Sequence, residues 1–355
     1  GHHIQHPRRQ PRLKRQFGQP QQGERGGFGR FQHHRIARRQ RRSDLPRADH
    51  QREIPRHDRA DHAHRFAVDQ GKDAVGGGGN LHIFDITNPN DIELKNKIIT
   101  PGYITEIKIF NNYAFVVNGP QGVRIFDLSN MESPIEISYC TTPGIANRIY
   151  VDNNRLYIAD LYYGLKIFDI SNINSPIELG GIYTYGYGED VVAKDGIVYF
   201  ADNYEGLQIF NAQDPSHITR LISYNPGQSV EKLLLKDNYL ITTDQYYGIR
   251  IIDVLNPSNP NEVSSIQIPV DRTLVLEGNT LYTTASNYIE IDISDINNPS
   301  IIRSKDIGGG YITSMAKYNQ VMLFTFGWQG FKLMDITENG NYNFLSSYNL
   351  PNYLR

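Results

Sequence analysis

Four ionisable residues, Glu106, Arg148, Asp190 and Lys232, follow one another at intervals of 42, and their charge alternates in sign. Residues spaced this evenly occupy one position of a repeated unit, and in a closed array of units they meet around its centre. Two kinds of chemistry suit such a ring. Opposite neighbours can neutralise one another and tie unit to unit, or they can present a polar ligand site at a channel mouth. Thr273 and Ser314 continue the series. Hydrolase or lyase chemistry at the same place would rest on carboxylates alone, drawn from Glu106, Glu189 and Asp190.

A second recurrent feature is aromatic and acidic. The stretches Asp160-Leu161-Tyr162-Tyr163, Asp202-Asn203-Tyr204-Glu205 and Asp244-Gln245-Tyr246-Tyr247 keep the same 42-residue spacing, and Ser286-Asn287-Tyr288 and Gly327-Trp328-Gln329 follow them. Exposed Tyr and Trp beside carboxylates suit stacking on a sugar or gripping a peptide, because each ring pairs apolar area with a polar tip. The alternative is local: each Tyr packs on a neighbouring turn and each Asp caps it.

Other chemistry has little raw material. No Gly-x-Ser-x-Gly elbow, His-Glu-x-x-His pair or phosphate-binding glycine loop occurs. Beyond residue 80 the only histidines are His82 and His217, and the single cysteine, Cys140, falls in an expected outer strand. The remaining histidines, among them His2, His3, His33, His34, His62 and His64, lack metal-ligand spacing. Neither a metal nor a cofactor is expected, and a non-enzymatic role is favoured.

The elements that position these residues are short strands. The run Gly164-Leu165-Lys166-Ile167-Phe168-Asp169-Ile170-Ser171 recurs with its glycine at 122, 164, 206 and 248, and its aspartate at 85, 127, 169, 253, 292 and 335. Around it, Ala146–Val151, Leu156–Ala159, Leu165–Ile170 and Ile177–Tyr183 alternate β-branched and aromatic residues between Asn, Gly and Pro turns. Four strands in about 42 residues make one propeller blade. The repeated Asp precedes Ser or Thr and is expected to brace the turn that follows. The chain is therefore read as an all-β propeller over residues 63–352. Seven blades are expected, six complete and a weak first one built on Ala63–Asp69 and Asp73–Gly77, with six blades as the alternative.

Composition changes sharply along the chain. Residues 1–79 hold 18 Lys and Arg against 8 Asp and Glu, nine of the eleven histidines, and no Tyr or Asn; residues 80–355 hold 18 against 30. Residues 1–62 have no hydrophobic period, and disorder is expected there. Three readings stand for this segment: a solvated basic tail, a nucleic-acid-binding arm using Arg8-Arg9, Arg38-Arg39 and Arg41-Arg42, or sequence foreign to the protein. No apolar run is long enough to span a membrane, and no signal peptide is visible.

The runs at 122–129 and 164–171, with Tyr157-Ile158-Ala159-Asp160 and Tyr199-Phe200-Ala201-Asp202, resemble the LVIVD-repeat family of prokaryotic β-propellers over residues 80–350. The Gly-His and Trp-Asp signatures of WD repeats are missing. The resemblance implies a secreted or cell-surface protein without assigned enzymatic activity. Expected partners are accordingly a protein or carbohydrate ligand, with nucleic acid a partner only if the basic segment is native; an intracellular assembly scaffold is a further alternative.

Overall fold

A computed structural model describes residues 65–69, 72–77, 79–225, 229–244, 247–270, 273–285, 287–308, 312–326, 330–336 and 342–349. The expectations for residues 1–62 lie outside the described residues. Seven four-stranded antiparallel sheets follow one another, and in each the strands pair in chain order. The innermost, first strands are Arg65–Asp69, Glu106–Phe110, Ala146–Asp152, Asp190–Lys194, Lys232–Lys236, Leu274–Glu277 and Ile312–Tyr318. Among the described residues there is no α-helix, only a 3-10 turn at Pro215–His217. The molecule is a seven-bladed β-propeller.

Local chemistry explains the blade. First and second strands are joined by tight turns in which Asn111, Asn153, Asp195, Asp237 and Asn319 take φ between 51° and 56°. Asn and Asp tolerate this left-handed region better than other residues with a side chain. The glycine of the repeat faces a stricter demand: Gly122 has φ +76°, and a Cβ there would stand 2.1 Å from the Cys140 carbonyl oxygen. The aspartate ending the third strand braces the next turn. Asp127, Asp169 and Asp292 each accept the backbone N–H two residues on, at 2.8 Å. Hydrogen bonds from Ser171 and Ser294 hold the Asp169 and Asp292 carboxyls below the usual carboxylate range.

A blade has two apolar faces, and each is covered only by the next blade around. Seven buried clusters fill the seven interfaces. That between blades 2 and 3, for example, joins Val123 and Ile125 to Leu156, Ile158 and Phe168. The closing interface is built alike: Val75, Phe84 and Ile86 of blade 1 pack on Leu323, Phe331 and Leu333 of blade 7. The Phe84 ring meets Phe331 and Tyr348 edge-on at 5.0 and 4.8 Å. Ser346 Oγ donates to the Pro89 carbonyl across the closure at 2.5 Å, as Ser138 does to Ile173 and Ser264 to Ile296 at 2.6 Å.

Blade 1 is complete, with strands Arg65–Asp69 and Lys72–Gly77 at its inner side. Arg65–Asp69 lies beside the first strands of both blade 2 and blade 7. Closure therefore sets whole blade against whole blade, with no blade shared between the ends of the chain. Gly76 is what lets the second strand fit, since a Cβ there would come within 2.6 Å of Ile104 Cγ2.

If the closing interface is equivalent to the internal ones, Leu333→Ala and Ile125→Ala should each cost about 2–5 kcal/mol in urea unfolding. A loss under about 1 kcal/mol for Leu333→Ala alone would show that the ring is open in solution.

Candidate functional site

Antiparallel blades place the second-to-third-strand loops and the connections into each first strand on one face. This face is knitted by a bond that repeats with the chain: the carbonyls of Gly119, Leu161 and Asn203 accept the N–H of Ala146, Gly188 and Val230, at 3.1, 3.3 and 3.2 Å. Donors and acceptors both advance by 42, so each loop is sewn to the following blade.

The aspartates of the aromatic–acidic loops are buried and serve this framework. Asp160 accepts the N–H of Gly144 and of Ile145, each at 2.9 Å. Asp244 accepts those of Ser229 and Tyr247 at 2.8 and 3.1 Å. Asp202 is less well supplied, with the Thr184 hydroxyl at 2.7 Å and the Gly186 N–H at 3.3 Å. Burial consequently pushes its carboxyl up to about 6, the two hydrogen bonds offsetting only part of that cost. Asn118 holds the same position in blade 2, accepting from Gly102 N–H and donating to its carbonyl. These side chains are latches between the incoming connection and the second strand, not carboxylates displayed to a ligand.

The tyrosines divide. Tyr204 is 73% exposed, and Tyr163 and Tyr247 are exposed to lesser degrees. Tyr163 lies over Gly144, and the Arg250 guanidinium sits 5.6 Å from the Tyr247 ring. Tyr162 is half-buried and meets Tyr187 edge-on at 5.5 Å. Tyr246 and Trp328 lie outside the described residues. Tyr288 does not belong to this surface: it opens the third strand of blade 6 four residues before Asp292, the place held by Val123, Leu165, Leu207 and Ile249 in blades 2 to 5. Fully buried, it donates to Glu290 at 3.0 Å between blades 6 and 7.

Sequence reading missed the connection between blades 3 and 4, Tyr183-Thr184-Tyr185-Gly186-Tyr187. Tyr183 and Tyr185 are exposed, the latter by 80%, and meet edge-on at 5.5 Å. The alternating tyrosines were the available signal, but a connection carries no strand pattern to draw attention. Tyr103 and Tyr139 add exposed rings on blade 2.

At the channel mouth, Glu106, Arg148, Asp190 and Lys232 open successive first strands or lie near their start. Glu106 accepts the Ile149 N–H of blade 3 at 2.7 Å, and Asp190 accepts the Leu233 N–H of blade 5 at 3.1 Å. Arg148 donates back to the Thr105 carbonyl of blade 2 at 2.9 Å. Ion pairs join Lys232 to Asp190 at 3.2 Å and Lys108 to Glu106 at 3.5 Å. Burial alone would raise the Glu106 carboxyl, but Lys108, Lys232, Arg148 and the Ile149 N–H outweigh it and hold it low. Glu189 accepts from Asn203 at 3.0 Å. Counted back from the hairpin turn, Thr273 and Ser314 hold the equivalent positions in blades 6 and 7, four residues before Glu277 and Tyr318 as Lys232 stands before Lys236.

Outside this mouth, Cys140 ends the fourth strand of blade 2, buried, with its thiol pushed up to about 12 by burial. Asp214, Ser216 and His217 touch one another, but Ser216 and the His217 Nδ1 both turn to Asp214, at 2.6 and 3.0 Å. That is the cap of a 3-10 turn, without the relay order of a nucleophile and its base.

The fold and this geometry define the class of protein: a β-propeller, an architecture that suggests a binding or protein-interaction module. The LVIVD repeat matches it four times, at residues 101–142, 143–184, 185–226 and 227–267, one blade-length each. The chain carries LVIVD repeats, consistent with an LVIVD-repeat β-propeller. No curated protein sequence matches it. Among solved structures it is similar to the computationally designed Ika8 protein (TM-score 0.58, 14% identity, covering 81% of this chain and 86% of that one). It is likewise similar to Sqt1 of Saccharomyces cerevisiae (TM-score 0.60, 7% identity, 80% and 85% covered). At such identities the likeness is one of fold. No helix among the described residues is long and apolar enough to cross a membrane.

The raised Asp202 has a sign that can be checked. A folded-state carboxyl above its unfolded value of 3.8 favours folding when protonated, and this contribution is lost as pH rises through about 6. Asp202→Asn should therefore gain stability relative to the wild type between pH 4 and pH 8, by up to about 2–3 kcal/mol. Denaturant midpoints at the two pH values measure it.

Proposed function

We propose that this propeller is a non-enzymatic binding module that holds a protein or carbohydrate at the cell surface through its tyrosine-rich face. The observation carrying this reading is the group of exposed rings on adjoining loops of blades 3 and 4: Tyr163, Tyr183, Tyr185 and Tyr204. Rings left in water offer area for stacking with little conformational entropy to lose, and their hydroxyls supply hydrogen bonds at the rim. The surface location rests on the family resemblance.

The absence of catalysis is part of the proposal. The carboxylates an acid–base mechanism would draw on are already engaged: Glu106 with Ile149 N–H, Asp190 with Leu233 N–H and Lys232, Glu189 with Asn203. Their geometry serves the joints between blades.

The test compares wild type with a Tyr163→Ser/Tyr185→Ser/Tyr204→Ser variant on a glycan array and an immobilised peptide library. Signals found with the wild type should fall at least about tenfold in the variant, while circular dichroism and unfolding midpoints stay unchanged, since the three side chains are exposed. Undiminished binding by the variant would remove this face from consideration.

A further inference from the structure

The charged ring at the channel mouth is not balanced. Five ionisable side chains from blades 2 to 5 lie within electrostatic reach of one another: Glu106, Lys108, Arg148, Asp190 and Lys232. Three are cations and two are carboxylates. Lys108 pairs with Glu106 and Lys232 with Asp190, which leaves Arg148. Its side chain is 6% exposed, yet among the described residues no carboxylate comes within ion-pair distance of it.

The hydrogen bonds of Arg148 sharpen the point. All of them run through Nη1, to the carbonyls of Thr105 and Asn147 at 2.9 and 3.0 Å and to Asn147 Oδ1 at 3.4 Å. Nε and Nη2, the other edge of the guanidinium fork, have no acceptor among the described residues. A guanidinium presents that edge as two parallel donors matched to a carboxylate or phosphate. A buried cation with no carboxylate at ion-pair distance is costly, and two further cations beside it raise the cost.

Lys232 responds to this crowding. Burial, with the Arg148 and Lys108 charges added, lowers its ammonium to about 8 against the pull of Asp190 and Glu106. Its side chain nevertheless keeps some exposure, and that of Lys108 is half exposed, so the cluster is open to solution. By strand pairing, Arg65 takes the corresponding register position in blade 1. Thr273 and Ser314 leave the positions of blades 6 and 7 uncharged. The charge is thus gathered on one side of the mouth.

We propose that this mouth is an anion site, in which the free edge of Arg148 and the ammonium of Lys232 hold a carboxylate or phosphate group. Such a group would supply the acceptors that the free edge of Arg148 lacks. The site is independent of the tyrosine face, since none of those rings contributes to it.

Isothermal titration of the full chain with sodium phosphate and, separately, sodium succinate at pH 6.5 and constant ionic strength tests it. Saturable one-site binding is expected, weakened at least about tenfold by Arg148→Gln and by Lys232→Gln, each of which removes a charge-assisted bond. Binding should be unchanged in Lys95→Gln, on the outer strand of blade 1, and in the triple tyrosine variant. Binding of phosphate alone would assign a phosphoryl ligand, and of succinate alone a carboxylate. Succinate is fully ionised throughout pH 7–9, so its affinity should fall across about pH 8 as Lys232 loses its proton. Should Arg148→Gln fail to fold, Lys232→Gln and the pH series decide. No saturable binding of either probe by the wild type, or full affinity in the folded variants, overturns the proposal.

Discussion

A four-stranded blade is apolar on both faces, and neither face can be buried within the blade. That constraint shapes everything else in this molecule. It explains why units of nearly equal length follow one another, since only matching neighbours cover each other without gaps. It also explains why the array must close: an open end would leave an apolar sheet face and unpaired strands in water. The Phe84, Phe331 and Tyr348 rings and the Ser346 bond to Pro89 make the junction of blades 7 and 1 an interface like the others.

The same constraint determines where chemistry can appear. Faces between blades are filled, so freedom to vary is left to the loops and to the channel wall. On the loops, the buried Asp160, Asp202 and Asp244 hold the backbone while the tyrosines beside them reach solvent. On the wall, charged side chains do two things together. Glu106 and Asp190 each accept an N–H group from the next blade, fixing strand to strand, while Lys108 and Lys232 pair with them. The framework and the candidate site are therefore built from one set of residues.

Much of this was legible because the repeat is long-range in sequence but local in structure. Gly122, Gly164, Gly206 and Gly248 mark the third strand since only glycine suits a positive φ against a carbonyl. Asp127 and Asp169 mark the turn after it because a carboxylate braces the backbone two residues on. The weak look of blade 1 was misleading only in degree: Gly76 is what a crowded second strand requires. Tyr288 was read as a loop aromatic because it follows Ser286-Asn287, yet it takes the apolar place that Leu165 and Ile249 hold in their strands, and its ring turns into the interface between blades 6 and 7.

By itself the sequence determined the strand pattern and the blade as the unit, because each rests on short-range backbone preferences repeated in register; the choice of seven blades over six came from the pairing of Arg65–Asp69 with Lys72–Gly77. Tertiary structure alone decided which polar residues are spent and which remain available. Asp160 and Asp202 carry the same charge as Glu205, but the first two are buried against backbone N–H or hydroxyl donors while Glu205 is exposed. The alternating charges at intervals of 42 read as self-neutralising, and only the distances show that Arg148 is left without a carboxylate. Spacing along the chain sets which side chains share a ring; how closely they approach depends on the tilt and packing of whole blades, which no single repeat encodes.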